Sequence, residues 1–218
     1  MPVFRLNENE ISFPDPSLAE DDGLLAVGGD LSVERLVLAY SNGIFPWYGK
    51  GDPILWWCPK KRFIIKPQEI HISHSMKKYM RKHEISCVLN RNFADTMHRC
   101  RTKREFKEGT WIDDAMEAAY YALWERKLAL SLEARSDGKL AGGLYGVCLG
   151  RCFFGESMYS EMENGSKLAL IMLAELLEQR GFFMIDCQFR TDHLESMGGR
   201  EVSMEEYRAL LDKGLKET

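Results

Sequence analysis

The chain has 218 residues and a formal net charge of −4, and 45% of its residues are hydrophobic. This length and composition can bury a real core, which excludes a mainly disordered protein. No apolar run reaches the roughly 18 residues of a membrane-spanning helix, and no basic start followed by an apolar stretch indicates a signal peptide. Six scattered cysteines without Cys-x-x-Cys spacing predict free thiols in a reducing cytoplasm, without a zinc site or another metal centre.

Basic residues are concentrated in one part of this acidic chain. The segment 56–107 carries fourteen Lys and Arg against four Asp and Glu. A basic segment inside an acidic protein predicts a polyanion bound at one place. A solvated helical face would give the same pattern, and charge alone does not separate the two.

Residues 1–62 are predicted to form a small N-terminal domain, because they are rich in Gly, Pro and aromatic residues. One helix is clear within it, capped by Asp30 or Ser32 and ended by Asn42-Gly43. Short strands are expected on either side of it, at 23–28 and 54–58. Adjacent tryptophans in an extended segment face opposite sides, so we expect at least one of Trp56 and Trp57 to be core.

Residues 63–218 are predicted to form the second domain. It should begin with a strand ("KRFIIKPQEIHI") and two basic helices, one capped by Ser73 and one over 93–101. A capping box at 110–113 predicts a third helix, running to about residue 126. Three antiparallel strands joined by tight turns should follow, at 128–135, 140–150 and 151–157.

The last part of the chain alternates between helices and strands. An apolar helix is predicted over 167–179, then a strand over 182–189, then a helix capped by Ser203. The unit formed by 152–156, 166–180 and 182–189 predicts two parallel strands joined by a crossover helix. Glu156 and Gln188 would end these strands, at the kind of sheet edge where ligands bind.

Asp186 and Gln188 are two residues apart in the apolar strand "FFMIDCQF", so their side chains should share a face. A carboxylate in such a run is costly unless it is hydrogen-bonded or used in chemistry. Convergence with Glu156 favours a functional site. A structural hydrogen bond to a neighbouring loop is the alternative.

Two further motifs have both functional and structural interpretations. The helix start at Ser166 and Lys167 could attract an anion or could be an ordinary capped helix. The tryptophans Trp47, Trp56, Trp57 and Trp111 suit stacking on an unpaired base, although core packing is the better explanation for any single one of them. An acetyl-coenzyme A enzyme would need an Arg/Gln-x-x-Gly-x-Gly/Ala loop before this helix, and the chain has "SEMENGSK" there.

Several segments together resemble the bacterial leucyl/phenylalanyl-tRNA–protein transferase family: "FPDPSLAEDDGLLAVGGDLSVERLVLAYSNGIFPWY", "GDPILWWCPKKR", "EGTWID", "GGLYGV", "FFGESMYSEMENGSKLAL" and "IDCQFRTDHLESMGG". The resemblance covers nearly the whole chain, in order. It implies an α/β (α+β) fold, with a small N-terminal domain and a Gcn5-related acyltransferase-like domain built on a mixed sheet. It also implies transfer of Leu or Phe from Leu-tRNA or Phe-tRNA to the N-terminal Arg or Lys of proteins, which marks them for N-degron degradation.

The resemblance also implies roles for individual residues. Asp186 and Gln188 would be the catalytic pair, and Glu156 would line the same site, the two carboxylates giving a negative setting for a cationic acceptor. Trp47 and Trp111 would hold the terminal adenosine of the tRNA. The Leu or Phe side chain would fit a pocket formed by Leu144, Phe153, Met158 and Ile185. The tRNA acceptor stem would contact Lys77, Lys78, Arg81 and Lys82.

We expect a cytoplasmic monomer that needs no cofactor and does not bind a membrane. Cys58 departs from the family pattern, in which Ser is usual at this position. The loop 101–108 is also long and very basic. Two other functions remain open: a small-molecule N-acetyltransferase on the same fold, and a tRNA-binding module without catalysis. The missing coenzyme A loop disfavours the first, and the polar strand edge disfavours the second.

Overall fold

The computed structural model describes residues 3–105 and 112–217. The strands in this part of the chain are β1 (Phe4–Leu6), β2 (Leu24–Gly28), β3 (Phe45–Pro46), β4 (Leu55–Trp57), β5 (Lys61–Ile65), β6 (Ile85–Leu89), β7 (Ala129–Ser136), β8 (Lys139–Leu149), β9 (Cys152–Ser160), β10 (Met184–Gln188) and β11 (Arg200–Ser203). The α-helices are α1 (Val33–Ser41), α2 (His74–Lys82), α3 (Phe93–Glu105), α4 (Asp114–Glu125), α5 (Gly165–Gln179), α6 (Asp192–Ser196) and α7 (Met204–Lys216).

The strands form two sheets. The first four make a small sheet in the order β1-β2-β4-β3, and the others make a seven-stranded sheet in the order β11-β5-β10-β9-β8-β7-β6. In the larger sheet β10 is parallel to β9 and antiparallel to β5, so the sheet is mixed. The predicted fold class, a small N-terminal domain followed by a mixed α/β sheet, is confirmed. The predicted boundary after residue 62 falls within β5 and stays a prediction.

Both faces of the large sheet are buried, which explains why its strands are nearly continuous apolar runs. Neighbouring residues on a strand enter opposite cores, as Phe153 and Phe154 do on β9. The core that contains Phe153 packs against α5. The core that contains Phe154 packs against α3, α4 and α7 and continues into the N-terminal domain through α1. Within residues 3–105 and 112–217, no helix is long and apolar enough to cross a membrane.

Most predicted helix starts are confirmed, because their capping side chains are present. Ser32, Ser73 and Ser203 each accept a hydrogen bond from a backbone N–H in the first turn of the helix that follows. The helix predicted from a capping box at 110–113 begins instead after Asp113, whose side chain accepts from the Met116 N–H. Thr110 itself lies outside the described residues.

Other boundaries differ from the predictions. β9 continues to Ser160, so Glu156 lies inside its strand rather than at its end. β10 begins at Met184 rather than at residue 182, because the Phe182 N–H still bonds the Leu177 carbonyl of α5. Five short elements were not predicted: β1, β3, β6, α6 and β11. The strands depend on pairing with β2, β4, β7 or β5, and α6 depends on a local cap, and such contacts have little local signal.

Candidate functional site

The parallel strands β9 and β10 diverge after Phe154, the third of the nine residues of β9. Their pairing runs from Met184 opposite Cys152 to Asp186 opposite Phe154 and then stops. The pairing of β10 with β5 shifts register between Asp186 and Gln188, and Gln188 has a φ of 63°. A non-glycine residue in this left-handed region is strained, and such residues cluster at functional sites.

The divergence leaves a cavity of about 330 Å³. One wall is apolar and contains all four predicted pocket residues, Leu144, Phe153, Met158 and Ile185. The same wall also includes three residues that the sequence analysis missed, Leu170, Leu173 and Leu194. Because Leu170 and Leu173 are three apart on α5, they share a helix face, and this spacing was the available signal.

The other wall is polar. Glu156 and Ser157 come from β9, Gln188 from the end of β10, and Thr191 from the turn before α6. The predicted convergence of Glu156 and Gln188 is therefore present: the Gln188 Nε2 donates to the Glu156 Oε1 at 3.3 Å. A nonpolar group in the cavity would lie beside a carboxyl and a carboxamide.

Asp186 lies behind this wall, and its side chain does not line the cavity. Its carboxylate is fully buried and accepts from the Arg62 Nε at 2.9 and 3.0 Å, from the Arg62 Nη2 at 2.8 Å and from the Tyr207 hydroxyl at 2.8 Å. It also accepts from the backbone N–H of Gln188 at 2.8 Å. Asp186 therefore holds the Gln188 backbone in its strained conformation, and Arg62 compensates its charge.

Arg62 and Tyr207 are functional neighbours that the sequence analysis did not find. Arg62 was counted as part of a basic segment, yet it is fully buried between the rings of Phe45 and Tyr207, 4.5 and 4.8 Å from their centres. The available signal was the apolar strand "RFII", in which a buried arginine would need a charged partner.

Glu156 is 7% exposed and contacts two buried tyrosines from different helices. The Tyr40 hydroxyl of α1 forms a hydrogen bond of 2.7 Å with its Oε1, and the Tyr120 hydroxyl of α4 forms one of 3.0 Å with its Oε2. Burial raises the pKa of Glu156 to about 7, the nearby Asp186 charge adds to this, and the hydrogen bonds from both tyrosines oppose it. Neither tyrosine was singled out in the sequence, because each is an apolar-face residue of an ordinary helix.

Trp47 lies at the mouth of the cavity and is 43% exposed. Its ring is 5.3 Å from Phe189 and 5.7 Å from Trp57, between ring centres. Trp56, in contrast, is completely buried, which confirms that at least one tryptophan of the adjacent pair is core. Trp111 lies outside the described residues.

The start of α5 is not open to a ligand in the way that an anion site requires. A Cβ at Gly165 would lie 1.8 Å from the Ala141 carbonyl oxygen of β8, so only glycine fits there. The Ser166 N–H donates to the Ser160 Oγ at 2.9 Å. The ordinary capped helix is therefore the better interpretation of this motif.

Much of the charge in the basic segment is compensated by carboxylates elsewhere. Lys61 pairs with Glu201, Arg101 with Asp114 and Glu117, and Lys103 with Glu161. Among the residues that the structure describes, no ion pair involves the four exposed cations of α2, which are Lys77, Lys78, Arg81 and Lys82. Within the described part of this segment, most of the cations for which the structure shows no ion pair therefore lie on α2.

None of the six cysteines forms a disulfide, as predicted. Cys58 is buried, and burial raises the pKa of its thiol. It does not line the cavity, whereas Cys187 does. Within the described parts of the chain, no three His, Cys, Asp or Glu side chains converge as metal ligands would.

Fold and site together define a mixed α/β protein with a small N-terminal domain and a mainly apolar cavity, lined in part by polar side chains, where two parallel strands diverge. Residues 64–212 match the family model for leucyl/phenylalanyl-tRNA protein transferase, and residues 29–60 match that for its N-terminal domain. The chain belongs to this family. Two relatives, both named leucyl/phenylalanyl-tRNA–protein transferase, illustrate the similarity. One from Syntrophobacter fumaroxidans is 50% identical over 100% of this chain and 93% of its own chain. One from Desulfatibacillum aliphaticivorans is 54% identical over 92% of this chain and 86% of its own chain.

Similarity to solved structures is much weaker. The structure of L-PGS from Bacillus licheniformis aligns over 87% of this chain and 63% of its own with a TM-score of 0.42 and 11% identity. A ribosomal-protein-alanine N-acetyltransferase from Brucella melitensis aligns over 46% and 76% with a TM-score of 0.32 and 19% identity. At these scores the alignments carry no argument about function.

Proposed function

We propose that this chain transfers Leu or Phe from aminoacyl-tRNA to the N-terminal Arg or Lys of a protein and so marks that protein for N-degron degradation. The proposal takes the reaction from the name of the family. One observation carries it to this site: apolar side chains that suit the aminoacyl group line the same cavity as Glu156 and Gln188.

The apolar wall suits the side chain of the donor. The cavity volume of about 330 Å³ lies at the small end of the range for ligand pockets. Leu and Phe bury more apolar surface in it than Ala does, at roughly 25 cal/mol per Å². Adding or removing one methylene changes discrimination by about 1–3 kcal/mol, so rejecting Ala is easier than separating Leu from Ile or Met.

The polar wall suits the acceptor amine. Its nitrogen attacks the ester carbonyl, the new C–N bond forms, the bond to the ribose oxygen breaks, and one proton passes from the amine to that oxygen. The ester is already activated, and an α-amino group with a reference pKa of about 7.7–8.0 is partly neutral at cellular pH. Alignment of the two groups therefore supplies most of the catalysis.

Gln188 is proposed to align the amine. Its Nε2 donates to Glu156, which leaves the amide oxygen to accept a hydrogen bond from the attacking nitrogen. Asp186 is proposed as a positioning residue, because its carboxylate bonds the Gln188 backbone and lies outside the cavity lining. The same geometry disfavours Asp186 as a direct base.

The tRNA is proposed to enter past Trp47. An exposed indole at the cavity mouth can stack on an unpaired adenine, which is worth about 1–3 kcal/mol per base. The α2 cations are proposed to contact the phosphates of the acceptor stem. Every residue invoked comes from one chain, so we expect a monomer to suffice, and because aminoacyl-tRNA is the donor, we expect the reaction to take place in the cytoplasm.

Replacing Lys77, Lys78, Arg81 and Lys82 by Ala should reduce the salt dependence of tRNA binding. Each phosphate contact contributes roughly 0.7–0.9 to the log–log slope, so four lost contacts should reduce its magnitude by about 3. The control variant removes four paired cations of the same segment, Lys60, Lys61, Arg99 and Lys103. If tRNA binding by the two variants had equal log–log slopes against salt, the α2 cations would be only a solvated face and would not contact phosphates.

The acceptor preference is tested with labelled Leu-tRNA and three peptides that differ only in their first residue. We expect label on the peptides that begin with Arg or Lys and none on the peptide that begins with Glu. The expected preference follows from the resemblance to the family and not from a negative Asp186, because Arg62 compensates the charge of that carboxylate. Equal labelling of all three peptides would refute the proposed acceptor choice.

A further inference from the structure

Three oxygen-bearing side chains form a closed triangle beside the cavity. The Tyr40 hydroxyl is 2.7 Å from the Glu156 Oε1, and the Tyr120 hydroxyl is 3.0 Å from the Glu156 Oε2. The two hydroxyl oxygens are 2.5 Å from each other. The three side chains come from α1, α4 and β9, so the triangle joins the N-terminal domain to the site.

Counting protons determines the charge of this triangle. Three oxygen–oxygen contacts need three protons, and two tyrosines supply two. If Glu156 were ionised, one contact would join two lone pairs, which is repulsive. With a proton on its Oε2, all three contacts become hydrogen bonds in one direction: Glu156 donates to Tyr120, Tyr120 donates to Tyr40, and Tyr40 donates to the Glu156 Oε1.

The surroundings of Glu156 also favour the neutral acid. The groups that surround Glu156 are Tyr40, Tyr120, Gln188 and the negative Asp186 of β10. Tyr145 of β8 packs on Tyr120, with their ring centres 5.9 Å apart. Arg62 of β5 and the Tyr207 hydroxyl of α7 are committed to Asp186. Among the described residues, no cation contacts the Glu156 carboxyl, and a buried carboxylate without a cation is costly.

We propose that Glu156 works as a neutral, protonated positioning residue, held in a ring of hydrogen bonds with Tyr40 and Tyr120, and that it orients the Gln188 amide. In this form its Oε1 can only accept, so the Gln188 Nε2 must face it and the Gln188 amide oxygen must face the cavity. A neutral acid also does not hold the incoming amine as an ammonium ion, whereas a carboxylate would raise the pKa of that amine. This inference rests on the proposed transfer reaction.

The first test compares pH profiles of the wild type and Glu156→Gln with the same Arg-starting peptide. Gln accepts and donates as the protonated acid does but cannot titrate, and titration of the peptide amine cancels in the ratio of the two rates. The folded-state pKa of about 7 lies above the ordinary value of 4.5, so the working form is present at acidic pH and is lost as the pH rises through 7. We expect the ratio of wild-type rate to variant rate to be level at acidic pH and to fall about tenfold by one pH unit above that pKa. A ratio that stays level throughout would overturn the proposal.

The second test does not require transfer and so separates this inference from the proposed function. A pH-difference infrared spectrum of the wild type should show a carboxylic-acid C=O band that disappears as the pH rises through about 7. Glu156→Gln should lack the band, and Tyr120→Phe should shift it, because one of its hydrogen bonds is lost. The matched control is Glu133→Gln: Glu133 is also buried but contacts Arg135, so its replacement should leave the band in place. The absence of any acid band in the wild type would overturn the proposal even if transfer activity is found.

Discussion

Asp186→Asn is expected to lower the free energy of unfolding by about 3–5 kcal/mol, because it leaves the fully buried Arg62 without its counter-ion. The Tyr207 hydroxyl also loses a charged acceptor. Denaturant unfolding with unchanged slope would measure this loss. A near-wild-type stability would mean that the ion pair contributes little to the fold.

A double variant separates the structural role of Asp186 from its proposed role in positioning Gln188. Arg62→Met combined with Asp186→Leu removes both charges and fills the same space, which is often neutral or stabilising for a buried pair. We expect stability to recover while transfer stays slow, because Leu cannot accept the Gln188 N–H. If the double variant also recovered the wild-type rate, Asp186 would serve only to compensate Arg62.

Gln188→Gly is expected to slow transfer by about two orders of magnitude without loss of stability. The rate falls because the amide that aligns the amine is gone, and removing one well-placed hydrogen-bonding group typically costs about 10²–10³ in kcat. Stability is kept because Gly adopts a φ of 63° without the strain that Gln bears there. Single-turnover rates at saturating donor, with a melting curve of the same sample, give both numbers.

Lys127→Gly is the matched control for this backbone effect. Lys127 has a φ of 61°, is exposed and lies in the turn after α4, away from the cavity. We expect its replacement to relieve similar strain and to leave transfer unchanged. An equal fall in rate for both variants would show that backbone freedom, rather than the lost amide, slows the reaction.

The apolar run with two polar residues was enough to select the strand that carries the candidate site. Period-two spacing predicts that Asp186 and Gln188 lie on one face, and the crossover predicts Glu156 on the next strand. The register shift between Asp186 and Gln188 was not visible, because it depends on how β5 pairs with β10. That shift is what brings Gln188 to the cavity while Asp186 remains behind its wall.

The sequence also did not reveal which residues of distant segments form hydrogen bonds with Asp186 and Glu156. Arg62 is 124 residues from Asp186, and Tyr40 is 116 residues from Glu156. Nothing local distinguishes such residues from ordinary members of a strand or helix. The charge pattern of the sequence also could not show which cations are paired. Only the fold shows that Lys61, Arg101 and Lys103 form ion pairs, whereas the α2 cations have none among the described residues.

The most direct test of the account is the mass of an Arg-starting peptide after a single turnover with purified protein and Leu-tRNA. We predict a gain of one leucyl residue, located on the α-amino group by fragmentation, with the same peptide unchanged when its N-terminus is acetylated. Release of free leucine without a change in peptide mass, or an equal gain by the acetylated peptide, would contradict the claim that this cavity joins an amine to an aminoacyl ester.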